Sequence, residues 1–407
     1  MRFLRRGFTA ARQFGFFALS VLLLALSSLW FIRAAISAGG LDLWASVAVG
    51  QAVGALGAIV VGYGWSVSGP VRVAAAQMQL ERSREFADAF ALRTLILAVA
   101  TMAVALAIFL LPEVDVGLGL LGALPVMVIA LSASFYFVGL ASPSLLFWME
   151  TIPRAAFTAA AAFLLLTDSI TVPFALAVQL LGNLCAVLLS GTYVLRSGLW
   201  RVWMRSSRSD GFLTLLRRQR QGLASALLAA FFSNAPMLIV TFVAPAIVAP
   251  FSVVDRLAKQ MLAGSSPVTA VLQGWVPREG VSAVARRARV ALAISWLAGV
   301  FVALVVAISA RPLVHWVAAG EVEPGPLISV LMGSFVGLFL VQNAVSYAGL
   351  AAQGRLGVAN RSMLVCTPIG LVLVGVLASP LGVVGVLTGI CAGMLAACVW
   401  QSVAVLR

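Results

Sequence analysis

The segment FSVVDRLAKQMLAGSSP, residues 251–267, places three ionisable side chains in an otherwise apolar stretch. Asp255, Arg256 and Lys259 share one face of a helix, because residues three and four positions apart are neighbours on its surface. A charge in the middle of a membrane helix costs about 3 kcal/mol on insertion scales, so it faces water or a partner. This face is therefore predicted to line a cavity. Asp255 and Lys259 can neutralise each other as an i, i+4 pair, which leaves Arg256 as the excess cation.

The excess cation indicates the class of ligand. A cationic wall in an apolar cavity suits an amphipathic anion, and a guanidinium can hold phosphate oxygens through two parallel hydrogen bonds. A metal ion or a cationic drug would instead require buried carboxylates. Arg33, near the outer end of the first predicted helix, either adds to the cationic patch or extends to the membrane surface. The predicted substrate-binding residues are Arg256, Lys259, Asp255 and Arg33.

Two helix-weakening residues follow the charged face. Gly264 has a permissive backbone, and Pro267 lacks the N–H group that would complete a helical hydrogen bond. Membrane proteins tolerate the freed carbonyl where protein or water can bond it. The pattern predicts a hinge at the cavity wall, with a fixed kink as the alternative.

The composition indicates the elements that must carry these residues. Of the 407 residues, 62% are apolar and only 10% are charged, against about 25% charged in soluble domains. The mean hydropathy is +1.08, and apolar runs of about 20 residues recur, each long enough to cross a bilayer. The chain is therefore predicted to be an all-α polytopic membrane protein.

Apolar runs bounded by proline, glycine and charged clusters predict about twelve transmembrane helices. They span approximately residues 13–35, 44–66, 92–111, 119–141, 152–167, 172–195, 222–244, 249–275, 290–310, 326–350, 360–378 and 381–405.

The basic residues behind the net charge of +14 are distributed as this topology requires. Most of the basic residues, with Arg93 and Arg154 among them, are assigned to alternate loops, whereas the opposite loops are mainly acidic. This distribution satisfies the positive-inside rule and predicts an inner (cell) membrane protein with both termini in the cytoplasm. It also accounts for the positive charge without a nucleic-acid partner.

Two six-helix lobes are predicted, residues 1–196 and 222–407, joined by a basic cytoplasmic linker, residues 197–221. The linker region interleaves tryptophan and leucine with arginine, which suits amphipathic segments on anionic lipid headgroups; a solvated linker is the alternative. FYFVGLAS, residues 135–142, resembles VSYAGLAA, residues 345–352, at an offset of 210 positions. This internal repeat supports the two-lobe division.

The residues offer little for catalysis. His315 is the only histidine, the four cysteines have no metal-like spacing, and no glycine-rich loop resembles a nucleotide cradle. No cofactor or metal is therefore predicted, and the protein is predicted not to be an enzyme. The enzymatic alternative is a membrane glycosyl polymerase or ligase, which would present its site on a long outer loop. The predicted outer loops are short.

Three segments together resemble Wzx-type polysaccharide flippases of the multidrug/oligosaccharidyl-lipid/polysaccharide exporter superfamily, which also contains the MATE transporters. They are YGWSVSGPVR at residues 63–72, FYFVGLASPSLLFWMETIPRAAF at 135–157, and FSVVDRLAKQMLAGSSPVTAVLQGWVPR at 251–278. The first has an aromatic-Gly segment followed by a basic residue, and the second has an aromatic-Gly-Leu before a charged turn and a basic residue. The third has a small or acidic residue, then basic residues, then a Ser-Pro and a Pro-basic ending. The chain departs from the family in lacking its usual lysines and its Gln-Gly-Leu-Glu passage.

The resemblance implies a MATE-like fold with two six-helix lobes around a central cavity. It also implies export of a lipid-linked oligosaccharide by alternating access, for surface polysaccharide synthesis. Arg256 and Lys259, together with Arg33, would then bind the polyprenyl pyrophosphate, and Asp255 would orient these residues or titrate against them. Glycosyltransferases and a polysaccharide polymerase are the implied partners. A multidrug or metabolite antiporter of the same fold is the alternative function.

Overall fold

The computed structural model describes residues 2–196, 212–276 and 281–406. Within these ranges every regular element is helical and there is no β-strand. The helices pack into two compact units, Met1–Asn234 and Ala235–Arg407. The predicted all-α polytopic fold is confirmed.

The first unit contains eight helices, and α9 runs on into the second unit. The helices are α1 (Arg2–Gly62), α2 (Trp65–Ala75), α3 (Gln79–Phe109), α4 (Val116–Val128), α5 (Ser134–Gly139), α6 (Pro143–Leu146), α7 (Ile152–Leu166), α8 (Val172–Arg196) and α9 (Phe212–Val243). A π-helical turn, Phe147–Thr151, joins α6 to α7, and a 3₁₀ turn, Ile129–Leu131, follows α4.

The second unit continues from α9 through four further helices. They are α10 (Val248–Trp275), α11 (Val281–Val317), α12 (Pro326–Ala344) and α13 (Leu356–Leu406), and a π-helical turn, Val345–Leu350, extends α12.

Two of the long helices are each bent at one glycine. Gly40 in α1 has φ 80° and Gly382 in α13 has φ 59°, a left-handed region that only glycine enters without steric cost. Each bend divides its helix into two membrane crossings. By length and apolar composition, eight of the described helical segments could cross a membrane, with α4–α5 and α6–α7 each taken as one, and the two bends divide these eight into ten. Helix α9 adds a shorter apolar segment, Ala230–Val243, and α10 spans Val248–Trp275, so helices lie at all twelve predicted positions.

Two helices begin earlier than the sequence indicates. α3 starts at Gln79 rather than near residue 92, and the crossing that contains α7 starts at Pro143 rather than at 152. Arg93 therefore lies well inside α3, where it is buried, and Arg154 lies about three turns into its crossing, where it is half-buried. Their assignment to cytoplasmic loops was wrong, because polar residues in α3 and α6 resemble loop sequence.

The repeated motif occupies matching positions in the two units. FYFVGLAS ends the fourth crossing of the first unit at α5, and VSYAGLAA ends the fourth crossing of the second unit at the π-helical turn after α12. The boundary between the units falls inside α9, between Asn234 and Ala235. The predicted lobe limits at 196 and 222 stay a prediction, and much of the linker, residues 197–211, lies outside the described residues.

Small residues let α1 approach α4 closely. A Cβ atom at Gly50 would overlap the backbone of Gly119, and one at Gly54 would meet the backbone of Ala123. Membrane helices lack a hydrophobic drive to associate in lipid, so such close backbone contact supplies much of their attraction.

Gly50→Val is expected to destabilise the first unit by about 3 kcal/mol or more, because backbone atoms of α4 cannot move aside as a flexible side chain could. Thermal unfolding of the detergent-purified protein measures the loss. Gly15→Val is the matched control, since no atom lies within 4 Å of a Cβ there. Equal melting temperatures for the two variants would contradict the close-packing interpretation.

Candidate functional site

Helix α10 presents the predicted charged residues on one face. Asp255, Arg256 and Lys259 are half-buried. The opposite face is buried and apolar; its residues are Val253, Val254, Leu257 and Ala258, each at most 1% exposed. Packing of that apolar face within the unit turns the charged face away from the unit's own core. The predicted common face is therefore present.

Asp255 and Lys259 form an ion pair. Lys259 Nζ lies 2.7 Å from Asp255 Oδ2, and the two side chains are 23% and 12% exposed. One turn of helix separates them, which is the spacing at which an acid and a base meet on a helix surface. The pair adds no net charge to this face.

Arg256 supplies the net charge. Its Nε atom is buried and has no hydrogen-bond partner within the part of the chain that the structure describes. Asp255 interacts electrostatically with it, but the carboxylate is already in contact with Lys259. A guanidinium in this position retains donors for an additional anion, and its planar fork matches the geometry of a phosphate group.

The remaining predicted site residues lie elsewhere. Arg33 belongs to the first unit, where it is half-buried between buried Ile32 and Ala34, about two turns before the bend at Gly40. Its place in the same binding site stays a prediction. Helix α10 continues through Gly264 and Pro267 as far as Trp275, so the two residues do not end the helix. Their role as a hinge stays a prediction.

The structure also contains a polar cluster that the sequence did not predict, and Arg93 in α3 is its first member. Arg93 is 3% exposed. Its Nη1 donates to the carbonyls of Ala130, at 2.7 Å, and Ser132, at 3.2 Å. Its guanidinium carbon lies 4.9 Å from the centre of the Phe135 ring. Arg93 thus donates hydrogen bonds to carbonyls in and just after the 3₁₀ turn that follows α4, where regular helical hydrogen bonding ends.

Glu150 supplies the acidic group of this cluster. It lies in the π-helical turn before α7, is 2% exposed, and interacts electrostatically with Arg93 and Arg154. Arg154 Nε donates to Asn183 Oδ1 at 3.2 Å, and Asn183 Nδ2 donates to the carbonyl of Pro125 at 2.7 Å. The cluster therefore connects α3, α4, α7 and α8.

One sequence signal could have indicated this cluster. Glu150 and Arg154 have the same i, i+4 spacing as Asp255 and Lys259. No glycine-rich turn lies beside Glu150 or Arg154. The participation of Arg93 and Asn183 depends on contacts between distant helices and has no local signal. Among the residues described, no group of three or more His, Cys, Asp or Glu side chains is placed to hold a metal ion.

Comparison at the sequence level identifies no relative. No protein-family model matches the chain, and no curated protein matches it.

Comparison of three-dimensional structures identifies several similar proteins. An inward-facing multidrug resistance MATE family transporter of the MOP superfamily matches with a TM-score of 0.58 and 16% identity, over 95% of this chain and 98% of that one. The lipid II flippase MurJ, in an inward closed conformation, matches with a TM-score of 0.56 and 11% identity, over 98% of this chain and 88% of that one. An outward-facing multidrug resistance MATE family transporter matches with a TM-score of 0.50 and 16% identity, over 97% of this chain and 94% of that one.

These identities are too low to transfer a substrate, and they establish the fold alone. The resemblance to polysaccharide flippases stays a prediction at that finer level. The chain is a multi-pass membrane protein with the fold of the MATE transporters and MurJ.

Proposed function

We propose that the protein is a transporter that moves a polyprenyl-pyrophosphate-linked oligosaccharide across the cytoplasmic membrane by alternating access, for surface polysaccharide synthesis. The observation that carries this proposal is the cationic excess on α10. Asp255 and Lys259 neutralise each other at 2.7 Å, while Arg256 has a buried Nε with no hydrogen-bond partner in the described ranges.

The energetics favour an anionic ligand at this face. A charge within the membrane costs about 3 kcal/mol unless water or a counter-ion compensates it. A pyrophosphate would provide that counter-charge and would accept paired hydrogen bonds from the guanidinium. Arg33 is proposed as a second contact for the same group.

The fold supports a lipid-linked substrate without specifying it. One structural neighbour is described as a lipid II flippase, so a chain with this architecture can move a lipid-linked molecule. In the proposal, both termini are cytoplasmic, and glycosyltransferases and a polysaccharide polymerase supply and use the oligosaccharide. The protein moves the molecule and makes no covalent change to it.

A multidrug or metabolite antiporter is the second candidate, because two of the structural neighbours are described as multidrug resistance transporters. A cationic drug would favour a buried carboxylate that is available to it. Among the described helices, Asp255 of the second unit is paired with Lys259, and the buried Glu150 of the first unit interacts with Arg93 and Arg154. These pairings favour the anionic substrate.

Transport by purified protein in vesicles would test the proposal. We expect movement of a fluorescent polyprenyl-pyrophosphate-linked sugar and none of a cationic dye such as ethidium. The double variant Asp255→Asn/Lys259→Gln should retain transport within about twofold, because removing both partners of a pair can be nearly neutral.

Lys259→Gln alone is the matched comparison. It leaves the carboxylate of Asp255 free to neutralise Arg256, so transport should fall well below that of the double variant. Transport of ethidium with no movement of the lipid-linked sugar would favour the antiporter instead. Equal activity in the single and double variants would remove the charge argument.

A further inference from the structure

A second candidate site lies in the first unit. A cavity of about 570 Å³ opens where α3 begins and where α5 and α8 end. None of the lining residues is acidic, and five of them can donate hydrogen bonds through their side chains; the Thr192 hydroxyl is already bonded to the carbonyls of Leu188 and Leu189, which leaves four. The four donors are Gln79, Tyr136, Tyr193 and Arg196.

Aromatic packing holds the two tyrosine rings at this cavity. Tyr136 is only 4% exposed, and its ring packs edge-on against Phe86 and Phe137 at 6.1 Å. The ring of Tyr193 packs against Phe137 at 6.0 Å. Within the described ranges, the side chains of Tyr136, Tyr193, Gln79 and Arg196 make no hydrogen bond or ion pair. A ligand with acceptor oxygens would give these four side chains hydrogen-bond partners.

The first two carboxylates of α3, neither of which lines the cavity, make other contacts. Glu85 accepts from Arg72 Nη1 at 2.7 Å and from Trp65 Nε1 at 3.1 Å. Glu81 accepts from the backbone N–H of Met78. Arg196 therefore determines the sign of the charge at the cavity, and the sign is positive.

The walls of the cavity indicate a lipid rather than a small soluble anion. Leu140, Met149 and Leu189 form apolar walls beside the donors. Exposed leucines continue along α8 from this end of the helix toward the middle of the membrane; they are Leu189, Leu188, Leu184 and Leu181, between 37% and 63% exposed. An acyl chain can lie along this row while its headgroup reaches Arg196.

We propose that this cavity binds the headgroup of an anionic membrane phospholipid. The phosphate contacts Arg196 and the two tyrosine hydroxyls, Gln79 bonds the polar headgroup, and one acyl chain lies along the leucines of α8. Tyrosine rings suit this position, because they place an apolar body in the membrane and a polar tip at its surface. The site is independent of the substrate site on α10, so a failure of either assignment leaves the other intact.

Native mass spectrometry of the detergent-purified full-length protein tests this assignment. The protein is titrated with phosphatidylglycerol or phosphatidylcholine, and the bound lipid is counted. We expect one phosphatidylglycerol retained in preference to phosphatidylcholine. Arg196→Gln should weaken its binding by about tenfold, the effect of losing one charge-assisted hydrogen bond. Tyr136→Phe, which keeps the ring and its packing, should also weaken it.

Arg84→Gln is the matched control, because Arg84 is an exposed arginine of α3 outside the cavity. Its variant should bind phosphatidylglycerol as the unmodified protein does. Equal losses in Arg196→Gln and Arg84→Gln would show attraction to the basic surface in general and overturn the proposal. Competition by inorganic phosphate at the same concentration as the lipid would also overturn it, because the apolar walls would then contribute nothing.

Discussion

Arg256→Glu is expected to abolish transport of the lipid-linked sugar while the protein still inserts and folds. The substitution places a carboxylate where a pyrophosphate is proposed to bind, next to Asp255. Like charges in close contact cost several kcal/mol, which corresponds to a loss of more than about 100-fold in affinity. The effect is measured as transport of the lipid-linked sugar into vesicles that contain the purified variant. Size-exclusion chromatography reports whether the variant is folded.

Arg289→Glu provides the control for this experiment. Arg289 is exposed at the start of α11, so the same reversal of charge there should leave transport near the unmodified level. Arg256→Lys should retain part of the activity, because it keeps the charge but loses the planar fork. Full transport by Arg256→Glu would show that no anion binds at this face.

Arg93→Met is expected to destabilise the first unit by about 3–5 kcal/mol, the range for breaking a buried charged network at one member. The substitution leaves the carbonyls of Ala130 and Ser132 without their donor. It also removes one of the two basic residues that interact with Glu150. Thermal or denaturant unfolding of the purified protein measures the change.

The companion variants separate charge from packing. Arg84→Met removes an exposed arginine from the same helix and should be nearly neutral. Arg93→Met/Glu150→Gln should be less destabilised than the sum of its single variants, because it removes the buried charge left behind. Strict additivity in this double-mutant cycle would mean that Arg93 and Glu150 do not interact.

The fold was predictable from the sequence because it follows from hydropathy. The apolar runs indicated about twelve helices, and the described residues contain helices at all twelve positions once the bends at Gly40 and Gly382 are counted. The errors lie at helix ends. Polar residues near the starts of α3 and α6 resemble loop sequence, yet they are helical, because contacts between helices satisfy side chains such as Arg93.

The candidate site was predictable where it depends on one helix. Helical spacing alone places Asp255, Arg256 and Lys259 on a common face and brings the acid and the lysine together. It does not reveal whether another helix supplies a partner for Arg256. The answer depends on how the helices pack. In the structure, the buried Nε of Arg256 has no hydrogen-bond partner among the described residues.

The sequence by itself therefore determined the membrane location, the number of helices and the pairing of Asp255 with Lys259, because each follows from local periodicity. Only the tertiary structure decided the partners of Arg93 and Glu150, and the meeting of Tyr136 with Arg196 at one cavity. These contacts join residues far apart in the chain. Their chemistry depends on how helices pack, which hydropathy and helical spacing do not encode.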